Sequence, residues 1–295
     1  QTILRADAAI TFSMRRVSDN AVSDFRYSDA VILQANVAAA GLDPVSAVRA
    51  GIPAGTVQFF YLQNGLEIPL GAPVQLSATG DASLSQITLN GKPSPIRLPT
   101  GQDQEFRVRY IDTRATPFFN HQNIISTVDV RPLNLVADPV LRVLPRTGAA
   151  DRNRRYAFGR SLVVTVVLRT EVPVQPGHLL TGASVETIPT GNGFMQFVSG
   201  ATVFTTPLLN IAPPPRGVTD PTVRVLSFTS AALFNNVIGN RNPTSPQNLL
   251  IPTGTFTTTV NITSQSTNFS GLNNLEFNNL ASIFTVARST IGRRW

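Results

Sequence analysis

Most protein chemistry runs through histidine, cysteine or clustered carboxylates, and this 295-residue chain is short of all three. It has no cysteine and only two histidines, His121 and His178, which excludes thiolate nucleophiles, thiolate metal sites and multi-histidine zinc sites. His121 stands among aromatics in Phe118-Phe119-Asn120-His121-Gln122, and His178 follows Pro176-Gly177 in a turn; both read as packed or surface residues rather than bases. The 17 acidic residues are dispersed, with no Asp-x-Asp or Glu-x-x-Glu pair to suggest glycoside hydrolysis or a calcium loop. Asp19, Asp24 and Asp29 recur at intervals of five, a pattern that fits solvated loop acids better than a weak calcium site. Gly-x-Gly-x-x-Gly, phosphate-loop and Gly-x-Ser-x-Gly signatures are absent. The expectation is a non-enzymatic chain with no cofactor and no metal.

Charge is more informative. Only 14% of residues are charged, against about 25% in ordinary soluble proteins. Lys92 is the lone lysine among 24 basic residues, and the net +7 is unevenly placed. Residues 1–132 balance to zero, whereas residues 133–295 hold 13 arginines against 6 acids. Arg142, Arg146, Arg152, Arg154, Arg155, Arg160 and Arg169 form a run that predicts an assembly or anion-binding patch. Arginine's forked donors suit an acidic face of a second copy, or anionic glycans on a cell surface. Nucleic acid is disfavoured, because the run lacks interleaved aromatics and the chain lacks a helix for a groove. A solvent-facing arginine loop is the bland alternative.

The elements that must position these residues are strands. Ala30 to Val37, Thr56 to Phe60, Glu105 to Ile111, Leu162 to Leu168 and Phe256 to Ile262 are β-branched or aromatic, mostly alternating, and punctuated by 20 Gly and 22 Pro. Asp43 to Ala50 and Thr229 to Val237 are the two best short helices. Four landmarks recur in order. Ile10 to Arg16 matches Val140 to Arg146, and Arg26-Tyr27 with its following strand matches Arg155-Tyr156. Pro53-Ala54-Gly55 matches Pro189-Thr190-Gly191, and Leu98-Pro99-Thr100-Gly101 matches Ile251-Pro252-Thr253-Gly254. The steadily growing offset predicts a duplicated module. The division is an N-terminal extension at 1–7, a sandwich at 8–131, a linker at 132–138, and a second sandwich at 139–295 with an inserted region at about 198–250.

Tyr27, Pro53 to Phe59, the Asn64-Gly65 turn, Gly80 to Leu84, Leu98 to Gly101 and Phe106 to Tyr110 together resemble the bacterial immunoglobulin-like repeats of secreted surface proteins. Asp112-Thr113-Arg114 departs from the Gly-Asp-x-x-Tyr ending of such repeats. The resemblance implies an all-β chain of two tandem immunoglobulin-like antiparallel β-sandwich domains at the cell exterior. The first residue, Gln1, fits a mature chain whose leader has been removed, and no apolar run is long enough for a membrane span. Thr2, Ile3, Leu4 and Arg5 could form a donor strand for a neighbour's sheet. Asn261 and Asn268 each begin an Asn-x-Ser/Thr acceptor triplet, which glycosylation would use in an exporting cell that has the machinery. The expected function is a subunit that assembles with itself into a surface filament, pilus-like appendage or surface layer. A virion or phage structural protein and a monomeric adhesin or glycan-binding module are the alternatives.

Overall fold

In a computed structural model of the chain, the structure describes residues 6–40, 53–114, 119–144, 155–157, 161–213, 223–229, 253–276 and 284–287; the side chains of residues 138–144, 155–157, 161–162, 272–276 and 284–287 are not described. Both expected helices fall outside them, apart from Thr229, which ends a strand. The chain divides into two compact units, Gln1–Pro132 with Gln175–Glu186, and Leu133–Val174 with Thr187–Trp295.

The first unit contains β1 (Asp7–Arg16), β2 (Phe25–Arg26), β3 (Ala30–Ala40), β4 (Thr56–Gln63), β5 (Leu66–Pro69), β6 (Val74–Gln75), β7 (Asp81–Leu84), β8 (Gln86–Leu89), β9 (Lys92–Arg97), β10 (Gly101–Ile111) and β11 (Gln122–Arg131). One sheet runs β1-β3-β9-β8 with β7 on β3, and the other runs β2-β11-β10-β4-β5 with β6 on β4. Alternation explains the layering. Val31, Leu33, Ala35 and Val37 point inward from β3, while Ile32, Gln34 and Asn36 point out half-buried. They meet Val57, Phe59 and Tyr61 of β4 and Phe106, Val108 and Tyr110 of β10, and the Phe12 ring packs 6.5 Å from Phe59 and 6.2 Å from Phe106.

The second unit contains β12 (Leu133–Leu144), β13 (Arg155–Ala157), β14 (Ser161–Thr170), β15 (Gly191–Ser199), β16 (Thr202–Thr205), β17 (Leu209–Asn210), β18 (Arg224–Thr229), β19 (Gly254–Ser264), β20 (Phe269–Ser270), β21 (Leu272–Glu276) and β22 (Phe284–Ala287). Its sheets run β18-β14-β12-β20 and β13-β22-β19-β15-β16, with β17 on β15 and β21 on β19. Val164, Val166 and Leu168 of β14 and Phe228 of β18 are buried in one sheet, Met195, Phe197, Phe256 and Val260 in the other, and Phe197, Phe204 and Phe228 lie within about 6 Å of one another, centre to centre.

The duplication is visible in the connectivity. The order β2-β11-β10-β4-β5 with β6 on β4 is reproduced by β13-β22-β19-β15-β16 with β17 on β15. In both units the first long strand pairs the third, while the short second strand crosses to the opposite sheet and joins its last strand in parallel. Glycine fixes the equivalence to the residue. Gly55 and Gly191 have φ +136° and +148°, and a Cβ on them would lie 2.1 Å from the carbonyl oxygen of Ile111 and 2.2 Å from that of Thr263. Their own carbonyls accept from Leu76 and Ile211. Two antiparallel sheets with the first strand split between them is the immunoglobulin-like arrangement, so the chain is an all-β protein of two tandem immunoglobulin-like β-sandwiches. In a chain without cysteine, aromatic rings fill the centres of both sandwiches.

One segment is assigned differently by sequence and by structure. Gln175–Glu186, placed at 139–295 by the sequence, belongs to the first unit. Leu180 enters that unit's core, its N–H donates to the Arg97 carbonyl at 2.8 Å, and the Glu186 N–H donates to the Tyr27 hydroxyl at 2.6 Å. Apolar burial decides membership here, and sequence order does not reveal it.

Candidate functional site

The arginine run does not form one cluster among the described residues. Arg142 lies on β12 opposite Val163 and Arg169 on β14 opposite Val136, six positions apart along one strand pair, or roughly 20 Å. Arg155 lies on β13, in the other sheet, opposite Thr285. Arg169 is exposed, while Arg146, Arg152, Arg154 and Arg160 lie outside the described residues, as do Thr2, Ile3, Leu4 and Arg5.

Asp19, Asp24 and Asp29 are brought together, but around arginine. Arg16 donates twice to Asp19 at 2.8 Å and once to Asp29 at 3.1 Å, and Arg131 donates to Asp24 at 2.7 Å. The Arg16 hydrogen bond holds the Asp19 carboxyl down at about 2, and Arg131 lowers Asp24 in the same way. These pairs fasten the crossover from β1 to β2, and no group of three His, Asp or Glu close enough for a metal occurs among the described residues.

A buried pair missed in the sequence closes the loop after β10. The Asp112 side chain is fully buried; it accepts from Arg114 Nε at 2.8 Å and from the Phe119 N–H at 3.0 Å. The Arg114 guanidinium, raised in pKa by that hydrogen bond, sits 5.3 Å from the Phe119 ring centre. The sequence signal was present as Asp112-Thr113-Arg114, the departure from the resembled repeat. The second unit has Ser264 near this position, its hydroxyl donating to the Ser266 carbonyl at 2.8 Å. Both loops then carry a buried phenylalanine, Phe119 or Phe269, that bridges in parallel to the start of the unit's first strand, at Ala6 or Leu133.

The outward faces of the two equivalent sheets differ in charge. On β10, Arg107 and Arg109 both pair with Glu67 of β5, Arg109 at 2.8 Å, and the Arg109 guanidinium covers the Phe60 ring at 4.8 Å. On β19 the corresponding positions are Thr255, Thr257, Thr259 and Asn261. They stand beside Phe194, Gln196 and Val198 of β15, which in turn face Val203 and Thr205 of β16. No charge interrupts these three strands; the first charged position across the sheet is Glu276, opposite Thr259. Val203 is 53% exposed.

The acceptor triplets occupy unlike places. Asn261 is mid-strand opposite Phe194 with its Nδ2 buried, so a glycan could be attached there only before the strand pairs. Asn268 is half-buried in the turn before β20, and its carbonyl accepts from the Leu133 N–H at 3.0 Å. His121 is exposed, and His178 bridges to Ser184 within the 175–186 hairpin. A groove of about 550 Å³ opens on the outward side of β1, β3 and β7, lined by Thr11, Ser13, Gln34, Asn36, Asp81 and Ser83. Thr79 and Asn36 hydrogen-bond the Asp81 carboxyl and lower its pKa.

No family model and no curated protein matches the chain. Among solved structures it is similar to a protein from Corynebacterium diphtheriae described as membrane anchored, at 14% identity and TM-score 0.25, covering 96% of this chain and 59% of that one. It is also similar to the complex of Dpr2 Ig1-Ig2 with DIP-Theta Ig1-Ig3, at 7% identity and TM-score 0.21, covering 95% of this chain and 64% of that one. The chain thus spans about three fifths of the length of these structures. Among the described residues no helix is long and apolar enough to cross a membrane. Likeness this distant says nothing of what the chain does, and the immunoglobulin-like fold stands on the strand order alone.

Proposed function

We propose that the chain is a non-enzymatic, extracellular structural subunit that assembles with copies of itself into a surface filament, pilus-like appendage or surface layer. The observation that carries this reading is the uncharged outward face of β16, β15 and β19. Surfaces that stay wet usually carry charge, and the centres of protein interfaces are depleted of it. A sheet face of threonine, valine, phenylalanine and glutamine, exposed at Val203, Thr205 and Thr257 in a chain only 14% charged, is suited to being covered. Electron microscopy of the purified full chain tests the reading: filaments or lattices are expected, and T257R should reduce them. A sample that stays monomeric at high concentration overturns it. The groove on β1, β3 and β7 favours a second reading, a module that binds a neutral glycan through hydroxyls and amides. Retention on immobilised neutral polysaccharide, lost in Q34A, supports that alternative.

A further inference from the structure

Among the described residues, the outermost strand of the first unit has an open side. The Val17 N–H donates to the Ala30 carbonyl, so odd-numbered residues of β1 face β3. Even-numbered residues face away, as Arg16 confirms by bonding Ala21 and Asn20, and Ala6 by accepting from Asn120. Between those two anchored ends, the N–H and C=O of Ala8, Ile10, Phe12 and Met14 have no partner among the described residues. Natural sheets blunt such edges with proline, charge or a bulge. The pairing of β1 with β3 is unbroken from Asp7 to Arg16, and no proline or charge lies between Asp7 and Arg15.

The equivalent strand is guarded. In β12 the Asn134 carbonyl accepts from the Glu171 N–H, so even-numbered residues face β14 and Pro139 lies on the open side. Pro139 has no N–H to offer there.

We propose that β1 is a self-pairing edge, taking β1 of a second copy in antiparallel register about a two-fold axis through Thr11. This deepens the assembly reading above and rests on it. The window Ala8 to Met14 is symmetric about Thr11, so Ala8 meets Met14 of the second copy and Ile10 meets its Phe12, with about eight backbone hydrogen bonds made at once. On the outward face the same register sets Thr11 against Thr11 and Asp7 against Arg15 of the other copy, twice. Asp7 is exposed and spends Oδ1 on Asn120 at 2.8 Å, while Arg15 is half-buried and has no ion pair among the described residues. Shifting the register by two positions either way leaves edge groups unpaired and separates the charges.

Sedimentation velocity on the full chain and three charge variants tests this. D7R and R15D should each weaken association at least tenfold. The double variant D7R/R15D should restore it to within about threefold, and so should an equimolar mixture of the two single variants, where each copy again meets its opposite charge. Circular dichroism checks that all four are folded. Singles that associate like the parent, or singles that no mixture rescues, overturn the pairing. So does loss of association on deleting residues 1–5 with the charge variants silent, which gives the edge to that segment. A parent that stops at dimers sustains the pairing and removes the filament reading; a parent that forms filaments unaffected by the variants does the reverse.

Discussion

The two units share strand order, crossover and obligatory glycine, yet differ wherever the shared frame meets its surroundings. The first holds its outward sheet with Arg107, Arg109 and Glu67; the second has uncharged residues there, Thr255 and Thr257 exposed, Asn261 half-buried and Thr259 buried. After β10 the first holds a buried Asp112 paired with a half-exposed Arg114, and the second has serine near that position. Among the described residues the first leaves one side of β1 unpaired, and the second places Pro139 on the side of β12 away from β14. The two units share backbone geometry and differ in surface chemistry. On the two proposals above, each module would offer its own kind of contact, an edge in one and a face in the other.

The comparison breaks most sharply at the shared glycines. Gly55→Ala and Gly191→Ala should each destabilise their own unit by about 3 kcal/mol or more, since a left-handed φ and a backbone clash coincide at both positions. Hydrogen exchange resolved by unit measures this, and a large loss at only one site would dissolve the equivalence. Next comes the loop lock. Asp112→Asn should cost about 2 to 3 kcal/mol by leaving Arg114 without its buried partner. Ser264→Ala should cost about 1 kcal/mol or less, read by urea unfolding.

Alkaline pH should separate the units more gently. Burial, with Asp112 nearby, pushes the Tyr110 hydroxyl up to about 12, and burial raises Tyr27 and Tyr61 as well. A phenol whose folded value lies above its unfolded value of about 10 holds more protons when folded. Its stabilising effect is complete below pH 10 and is lost as pH rises toward 12. Three of the four tyrosines are Tyr27, Tyr61 and Tyr110, so the first unit should loosen before the second, and Tyr110→Phe should flatten part of that slope. Smallest of all is Arg107→Ala, which should shift stability by under about 1 kcal/mol because its pair with Glu67 is partly exposed.

How much of this was legible in sequence follows from what each feature depends on. Alternation in Ala30 to Val37 and Phe256 to Ile262 gave the strands because a half-buried strand writes its burial at period two. Gly55 and Gly191 gave the repeat because no other residue fits those backbone positions. Proximity of the arginines was not legible, because neighbours in sequence diverge when a strand crosses between sheets, as Arg142 on β12 and Arg155 on β13 do. Asp112 was read only as a departure from a pattern, since its burial depends on Phe119 seven residues away. The open side of β1 could not be read at all, because edge and centre strands share one alternation and only pairing tells them apart.

The hairpin Gln175–Glu186 makes the chain cross between its two units three times, after Pro132, after Val174 and after Glu186. Its linear midpoint is therefore not a seam. A gene cut after Pro132 would yield a first half lacking Leu180 from its core and the partner of the Tyr27 hydroxyl. Recombination that shuffled the first module singly, cut at Pro132, would leave behind the hairpin that completes its core.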